Sequence, residues 1–287
     1  MGLVLPSVSV EKRETGFENQ CRRAGAIRED ISMIGEVLAL VVAVCWAFTA
    51  VLYRKALRNT SYTVANLVRT TFAAMFLFVV VSLTVHQMSA MPLSLLSLLF
   101  LASITNLVIG DSLFFMSLKK VGVSRTQPIS SSYPLFSMIP ASLIIGERIG
   151  LSTTIGTLLI VIGIVMVSLT ENKNTEVRSE RLSTFRGVHF SIGAAICYSI
   201  GLTSYKLVLS SGEIDPTFAT FIRMTAVIPI LLVAVAVKGP RRIKELTKRD
   251  VAILAAGGIL ELGIGGLLLF QSLRLADASR VIPLSST

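Results

Sequence analysis

Residues 110–132, GDSLFFMSLKKVGVSRTQPISSS, return at residues 265–287 as GGLLLFQSLRLADASRVIPLSST. At an offset of 155 the two stretches agree at ten of 23 positions: Gly110/Gly265, Leu113/Leu268, Phe115/Phe270, Ser117/Ser272, Leu118/Leu273, Ser124/Ser279, Arg125/Arg280, Pro128/Pro283, Ser130/Ser285 and Ser131/Ser286. The correspondence continues upstream with a small drift. Gly35, Cys45, Trp46 and Tyr53 meet Gly187, Cys197, Tyr198 and Tyr205 at an offset of 152, while Ala65 and Arg69 meet Ala219 and Arg223 at 154. Insertions in loops between equivalent helices produce such a drift without changing the order, so the chain reads as an internal duplication.

Lipid is the solvent for most of it. Apolar residues make up 53% of the chain and charged ones 15%, with a mean hydropathy of +0.74, whereas a soluble domain carries roughly 25% charged residues. The formal charge of +10 rests on Lys and Arg in short hydrophilic breaks. There, lipid headgroups and the insertion machinery read them, which argues against a nucleic-acid partner. Stretches of about 20 apolar residues, enough to cross about 30 Å of hydrocarbon as helix, occur at 34–53, 64–85, 94–117, 123–145, 150–169, 188–209, 217–237 and 250–273. A ninth begins near Ala278. Membrane strands are excluded because they need only about ten residues and alternate polar with apolar.

The predicted fold class is therefore all-α, a polytopic membrane helix bundle of eight full spans and the start of a ninth. Residues 34–170 form a first five-helix repeat, 171–186 a connecting loop, and 187–287 a second repeat that is incomplete. Five crossings, an odd number, invert the second repeat relative to the first. The pseudo-twofold axis then lies in the membrane plane, with a solute path where the halves meet. No HExxH, GxSxG or phosphate-loop pattern occurs, which removes support for membrane proteases, hydrolases and nucleotide-driven pumps. Cys45 and Cys197 sit at matching apolar positions and read as small buried residues. No cofactor or metal is expected.

The first-helix pattern VVAVCWAFTAVLYRKAL with its Trp46, and the stretch GDSLFFMSLKKVGVSRTQPISSSYPLFSMIPASLIIGERIGLSTTIGTLLIVIGIVMV with Pro134 and the Gly146-Glu147-Arg148 turn, resemble the drug/metabolite transporter superfamily, in particular its ten-helix EamA-like members. The resemblance covers residues 34–287 and implies a secondary transporter in the cell membrane, with both chain ends inside. One departure is that Thr287 aligns with Ser132, after which the first repeat continues to Thr170. The expectation is a C-terminally truncated product; a shorter protein completed by dimerisation is the alternative. Residues 1–33 lack the apolar core of a signal peptide, and read either as a disordered tail or as an extension ahead of a start at Met33. More Lys and Arg fall on the side opposite the N-terminus, including Lys238, Arg241, Arg242, Lys244, Lys248 and Arg249. Positive-inside logic thus favours an outside N-terminus, against the resemblance.

Polar residues within the apolar stretches are the candidates for function, because each costs roughly 2.5–3.5 kcal/mol if ionised at mid-bilayer. Glu261, among small residues in GGILELGIGGLL, is the leading coupling carboxylate, with a structural hydrogen bond as the alternative; its repeat counterpart is Asn106. Asp111, whose counterpart is Gly266, reads as the second coupling candidate, although a position near the interface favours solvation by a loop. Arg69 and Arg223 match across the repeats, and snorkelling to the interface competes with binding an anionic substrate group. Trp46 and Tyr198 fall near helix midpoints, which suits cavity lining as well as packing. Ser130, Ser131 and Tyr133 lie between Pro128 and Pro134, where missing backbone donors demand a protein-lined environment. Gly156 and Gly163, and Gly257, Gly258, Gly263, Gly265 and Gly266, read as close-packing surfaces, either internal or in a homodimer.

These residues predict a secondary transporter of a small organic solute, working by alternating access as proton-coupled efflux, with the bilayer, the solute and protons as partners. A truncated, non-transporting membrane product is the competing class. The nucleotide sequence after codon 287 separates them: a segment resembling residues 133–170 is expected in some frame, and its absence sinks the truncation reading.

Overall fold

A computed structural model describes residues 8–58, 60–84, 92–146, 150–170, 180–238 and 246–286. All regular structure among them is helical: α1 Val8–Ala56, α2 Tyr62–Thr84, α3 Leu93–Val121, α4 Val123–Ile145, α5 Leu151–Thr170, α6 Glu180–Ser210, α7 Pro216–Lys238, α8 Lys248–Leu275 and α9 Ala278–Ser285. Seven of these contain a span long and apolar enough to cross a bilayer, Glu29–Ala56 being that part of α1, and α5 is apolar as well. The chain is a multi-pass integral membrane protein. Its outer surface carries Val44, Phe48, Leu83, Leu93, Leu143, Leu159 and Val237, as expected where lipid rather than water surrounds the bundle. The Glu147-Arg148 part of the turn expected after α4, and most of the loop 171–186, lie outside the described residues.

The repeat becomes a pattern of exchanged contacts. α1 packs along α8 as α6 packs along α3, α9 lies against α1 as α4 lies against α6, and α2 packs against α7. Each half supplies the neighbours that the other half's helices need, as a pseudo-twofold relation requires. Hydrogen bonds repeat in the same way: Ser117 Oγ donates to the Gly187 carbonyl at 2.9 Å, and its counterpart Ser272 donates to the Gly35 carbonyl at 2.6 Å. Tyr198 covers Gly110, and Trp46 covers Gly265. At the matched glycines a helix of one half thus lies close against an aromatic side chain of the other, leaving little room for a Cβ.

The links between helices are short. α3 passes into α4 through Gly122 alone, whose φ of +79° combined with an extended ψ is a conformation essentially reserved for glycine. The corresponding link in the second half, Ala276 and Asp277, uses extended backbone at negative φ and needs no glycine. Lys206 on α6 donates to the carbonyls of Leu273 at 2.8 Å and Ala276 at 2.7 Å, placing a cation at the negative end of α8.

Two interruptions are themselves repeated. Ile104–Gly110 in α3 and Ile259–Ile264 in α8 are π-helical, and they align at the offset of 155. Widened turns of this kind misalign carbonyls and gather at functional sites; here the Leu107 carbonyl takes a hydrogen bond from Asn66 Nδ2 at 2.7 Å. α4 is broken at Ser131 and Ser132, between Pro128 and Pro134, as the proline spacing predicts.

The glycine reading is corrected in one place. Among the described residues, nothing lies within 4 Å of where a Cβ would stand on Gly156 or Gly163, so neither is a close-packing position against them. On α8 the expectation is met: a Cβ on Gly258 would run into the backbone of Arg69, and one on Gly263 would stand 2.8 Å from the Phe76 ring. Overpacking against backbone destabilises by about 1–3 kcal/mol, whereas a helix-interior Gly→Ala in open space gains about 0.5–1 kcal/mol. Gly258→Ala is therefore expected to lower the unfolding free energy in mixed micelles, followed by circular dichroism, while Gly163→Ala holds or raises it.

Candidate functional site

A cavity of about 140 Å³ opens where the halves meet. At roughly 10–15 Å³ per water on this measure, it has room for a small organic molecule. α1 contributes Trp46 and Tyr53; α3 contributes Asn106, Asp111 and Phe114; and α4 contributes Gln127, Ser130, Ser131 and Tyr133. Tyr198 enters from α6, Arg223 from α7, Glu261 from α8, and Ser285 and Ser286 from α9. Nine of the ten residues singled out in the sequence thus line one space: Trp46, Asn106, Asp111, Ser130, Ser131, Tyr133, Tyr198, Arg223 and Glu261. The tenth, Arg69, stands behind the wall and bonds two of them.

Arg69 is the centre of a charged cluster. Its guanidinium, 1% exposed, donates through Nη1 to Glu261 Oε2 at 2.7 Å, through Nε to Asn66 Oδ1 at 3.1 Å, and through Nη2 to Asp111 Oδ2. The second Asp111 oxygen accepts from the Tyr198 hydroxyl at 2.9 Å. The rings of Tyr53 and Phe115 flank the cation, with centroids 5.1 and 4.5 Å away. The cluster joins α2 and α3 of the first half to α8 of the second. Removing one partner of a buried ion pair costs about 3–5 kcal/mol, because a charge is left uncompensated. Glu261 is the more accessible carboxylate, its side chain being 18% exposed against 8% for Asp111.

Two sequence expectations are corrected here. Asp111 is not solvated by a loop: it is 5% exposed and ion-paired to Arg69. Snorkelling fails for both arginines, since Arg69 and Arg223 are buried inside the bundle at 1% and 3% exposure. Distance along a helix from the nearest hydrophilic break does not determine which face its neighbours cover.

The second half holds Arg223 in an equivalent aromatic cage. Tyr205 and Phe270, the counterparts of Tyr53 and Phe115, stand 5.1 and 4.5 Å from it. The acceptors differ: Asn66, Asp111 and Glu261 correspond to Thr220, Gly266 and Asn106. Thr220 directs its hydroxyl to the Pro216 carbonyl at 2.7 Å. A Cβ on Gly266 would lie 2.7 Å from Arg223 Nη2, so the guanidinium fills the space an aspartate side chain would need.

On α4, the Tyr133 hydroxyl meets Ser285 Oγ at 3.1 Å, and its ring packs edge-on to Tyr198 at 6.1 Å. The Ser130 hydroxyl returns to the Gln127 carbonyl at 3.1 Å, and Gln127 Nε2 reaches Ser131 Oγ at 3.4 Å. Sequence reasoning assigned no role to Tyr53, Phe115, Tyr205 or Phe270, although their identity or aromatic character across the repeats was a usable signal. For Gln127, whose counterpart is Ile282, there was none. Among the described residues, no group of His, Cys, Asp and Glu could hold a metal ion.

Residues 33–169 and 185–287 match the EamA-like transporter family. An uncharacterized transporter of Archaeoglobus fulgidus is 30% identical over 135 residues, 47% of this chain and 48% of that protein, so the match spans about half the relative's length. A solved crystal structure shares the fold with a TM-score of 0.68 at 14% identity, over 90% of this chain and 85% of the other. With two family segments covering both halves of a helical bundle closed around one cavity, the chain belongs to the EamA-like transporter family.

Proposed function

We propose that the chain moves a small organic solute across the bilayer by alternating access, with Glu261 as the proton-coupling group and with the cavity between the halves as the solute path. The observation that carries this reading is the Arg69–Glu261 ion pair, which ties α2 of one half to α8 of the other beside the cavity. Asp111 alone can neutralise Arg69. A proton on Glu261 therefore removes one cross-half link without leaving Arg69 unpaired. Groups facing Glu261 come from several helices: Arg69 on α2, the Tyr53 hydroxyl on α1, Asp111 on α3 and Arg223 on α7. The Tyr53 hydroxyl already faces the Glu261 carboxyl and is placed to hold it once Arg69 lets go.

Such a link is a two-state element that a proton biases, which coupling requires. Trp46, Tyr133, Tyr198, Asn106, Ser130 and Ser131 are the proposed solute-contacting groups, offering apolar faces with a few hydroxyl and amide contacts. With the proton gradient directed inward, exchange of protons for solute drives net movement outward, the efflux direction expected from the sequence.

The full chain reconstituted in proteoliposomes is expected to give solute flux that depends on a proton gradient, and Glu261→Gln to give flux indifferent to it. Unchanged proton dependence in that variant removes the role from Glu261. Asp111→Asn has a different signature: Arg69 keeps Glu261 and no charge is stranded, so unfolding in mixed micelles should become easier by about 1.5–3 kcal/mol, the worth of a hydrogen bond to a charged group.

A further inference from the structure

We infer that Arg223 is the receiving site for an anionic oxyacid group, a carboxylate or a phosphate, on the transported solute. The inference rests on the cavity being the solute path and names the class of solute that it admits. Arg69 and Arg223 are repeat counterparts in matching aromatic cages, but among the described residues only Arg69 is provided with carboxylates. All three of its partners are replaced around Arg223 by residues that do not accept from it: Thr220 bonds its own helix, Gly266 has no side chain, and Asn106 stands where Glu261 would. Among the described residues Arg223 has no ion pair, and its Nε has no hydrogen-bond partner.

Tyr205 and Phe270 do not cure this. Ring faces attract a cation through their quadrupole, yet offer no lone pair in line with its N–H bonds. Nε stays unsatisfied while the side chain is 3% exposed and lines the cavity, and Tyr205 offers the guanidinium a neutral hydroxyl rather than a counter-charge. A guanidinium presents a rigid fork that matches the two oxygens of a carboxylate or phosphate, so an anion entering the cavity supplies what Glu261 and Asp111 supply to Arg69. The duplication thus yields one arginine locked in the scaffold and one left for a ligand.

Trp46 is the chain's single tryptophan and lines the same cavity, so its emission reports occupancy. Purified full-length chain in detergent would be titrated at constant ionic strength with butyrate, monobutyl phosphate, 1-butanol and butylammonium. Saturable change is expected with butyrate or monobutyl phosphate, and the stronger of the two identifies the oxyacid. Arg223→Gln should weaken that anion at least tenfold, about 1.4 kcal/mol, and leave 1-butanol unaffected, while Arg223→Lys retains part of the affinity. The assignment is overturned if neither anion binds, if Arg223→Gln weakens the anion less than twofold, or if it weakens 1-butanol equally. Should Arg223→Gln fail to fold, Arg223→Lys decides by the same criterion, with any loss restricted to the anion. Anion-selective binding without solute flux in proteoliposomes keeps the site and overturns the transport reading; flux confined to neutral or cationic solutes does the reverse.

Discussion

An arginine closed off from solvent inside a membrane bundle has to be neutralised within the protein, and around Arg69 that requirement organises much of the fold. The carboxylates that meet it come from α3 of the same half and α8 of the other, so three helices must converge at one depth. Convergence explains Gly258, where α8 approaches the Arg69 backbone too closely for any side chain. It also accounts for the value of the repeated π-helical turns, which carry Asn106 and Glu261 and end just before or at Gly110 and Gly265. Each half is incomplete without the other in packing, and Glu261 of the second half finds its cation only on the first.

Duplication gave the halves one architecture, and later divergence gave them different charges. Hydrogen bonds from Ser117 and Ser272, the aromatic cages of Arg69 and Arg223, and the glycines beneath Tyr198 and Trp46 are held in common. Asp111/Gly266 and Asn106/Glu261 are not. Symmetric features bear on how the helices pack, and packing has the same solution twice. The broken positions cluster at the cavity, where Asn106, Asp111 and Glu261 line one shared space.

The membrane spans and the pairing of positions were legible in the chain because apolar run length and repeat offset are properties of sequence alone, whereas α1 as a helix begins at Val8, well ahead of the apolar run at 34. Seven of the eight expected spans recur as membrane-length helices within a few residues of their predicted limits, and the eighth, near 150–169, as the apolar helix α5. The candidate polar residues were legible too, since an ionisable group in an apolar run is conspicuous wherever it points. What could not be read was which of these groups touch. Arg69 and Glu261 are 192 positions apart, and no local periodicity encodes a pair that forms only when two halves dock.

The sequence by itself determined that this is a duplicated helical membrane protein with a short roster of costly polar residues, because hydropathy and repetition are additive along the chain. Only the tertiary structure decided their partners: Asp111 drawn into an ion pair rather than left to a loop, both arginines buried, and, among the described residues, Gly156 and Gly163 without close neighbours and Arg223 without the carboxylates Arg69 has. Burial and pairing depend on what neighbouring helices bring to the same point in space, and that is fixed when the halves close on each other.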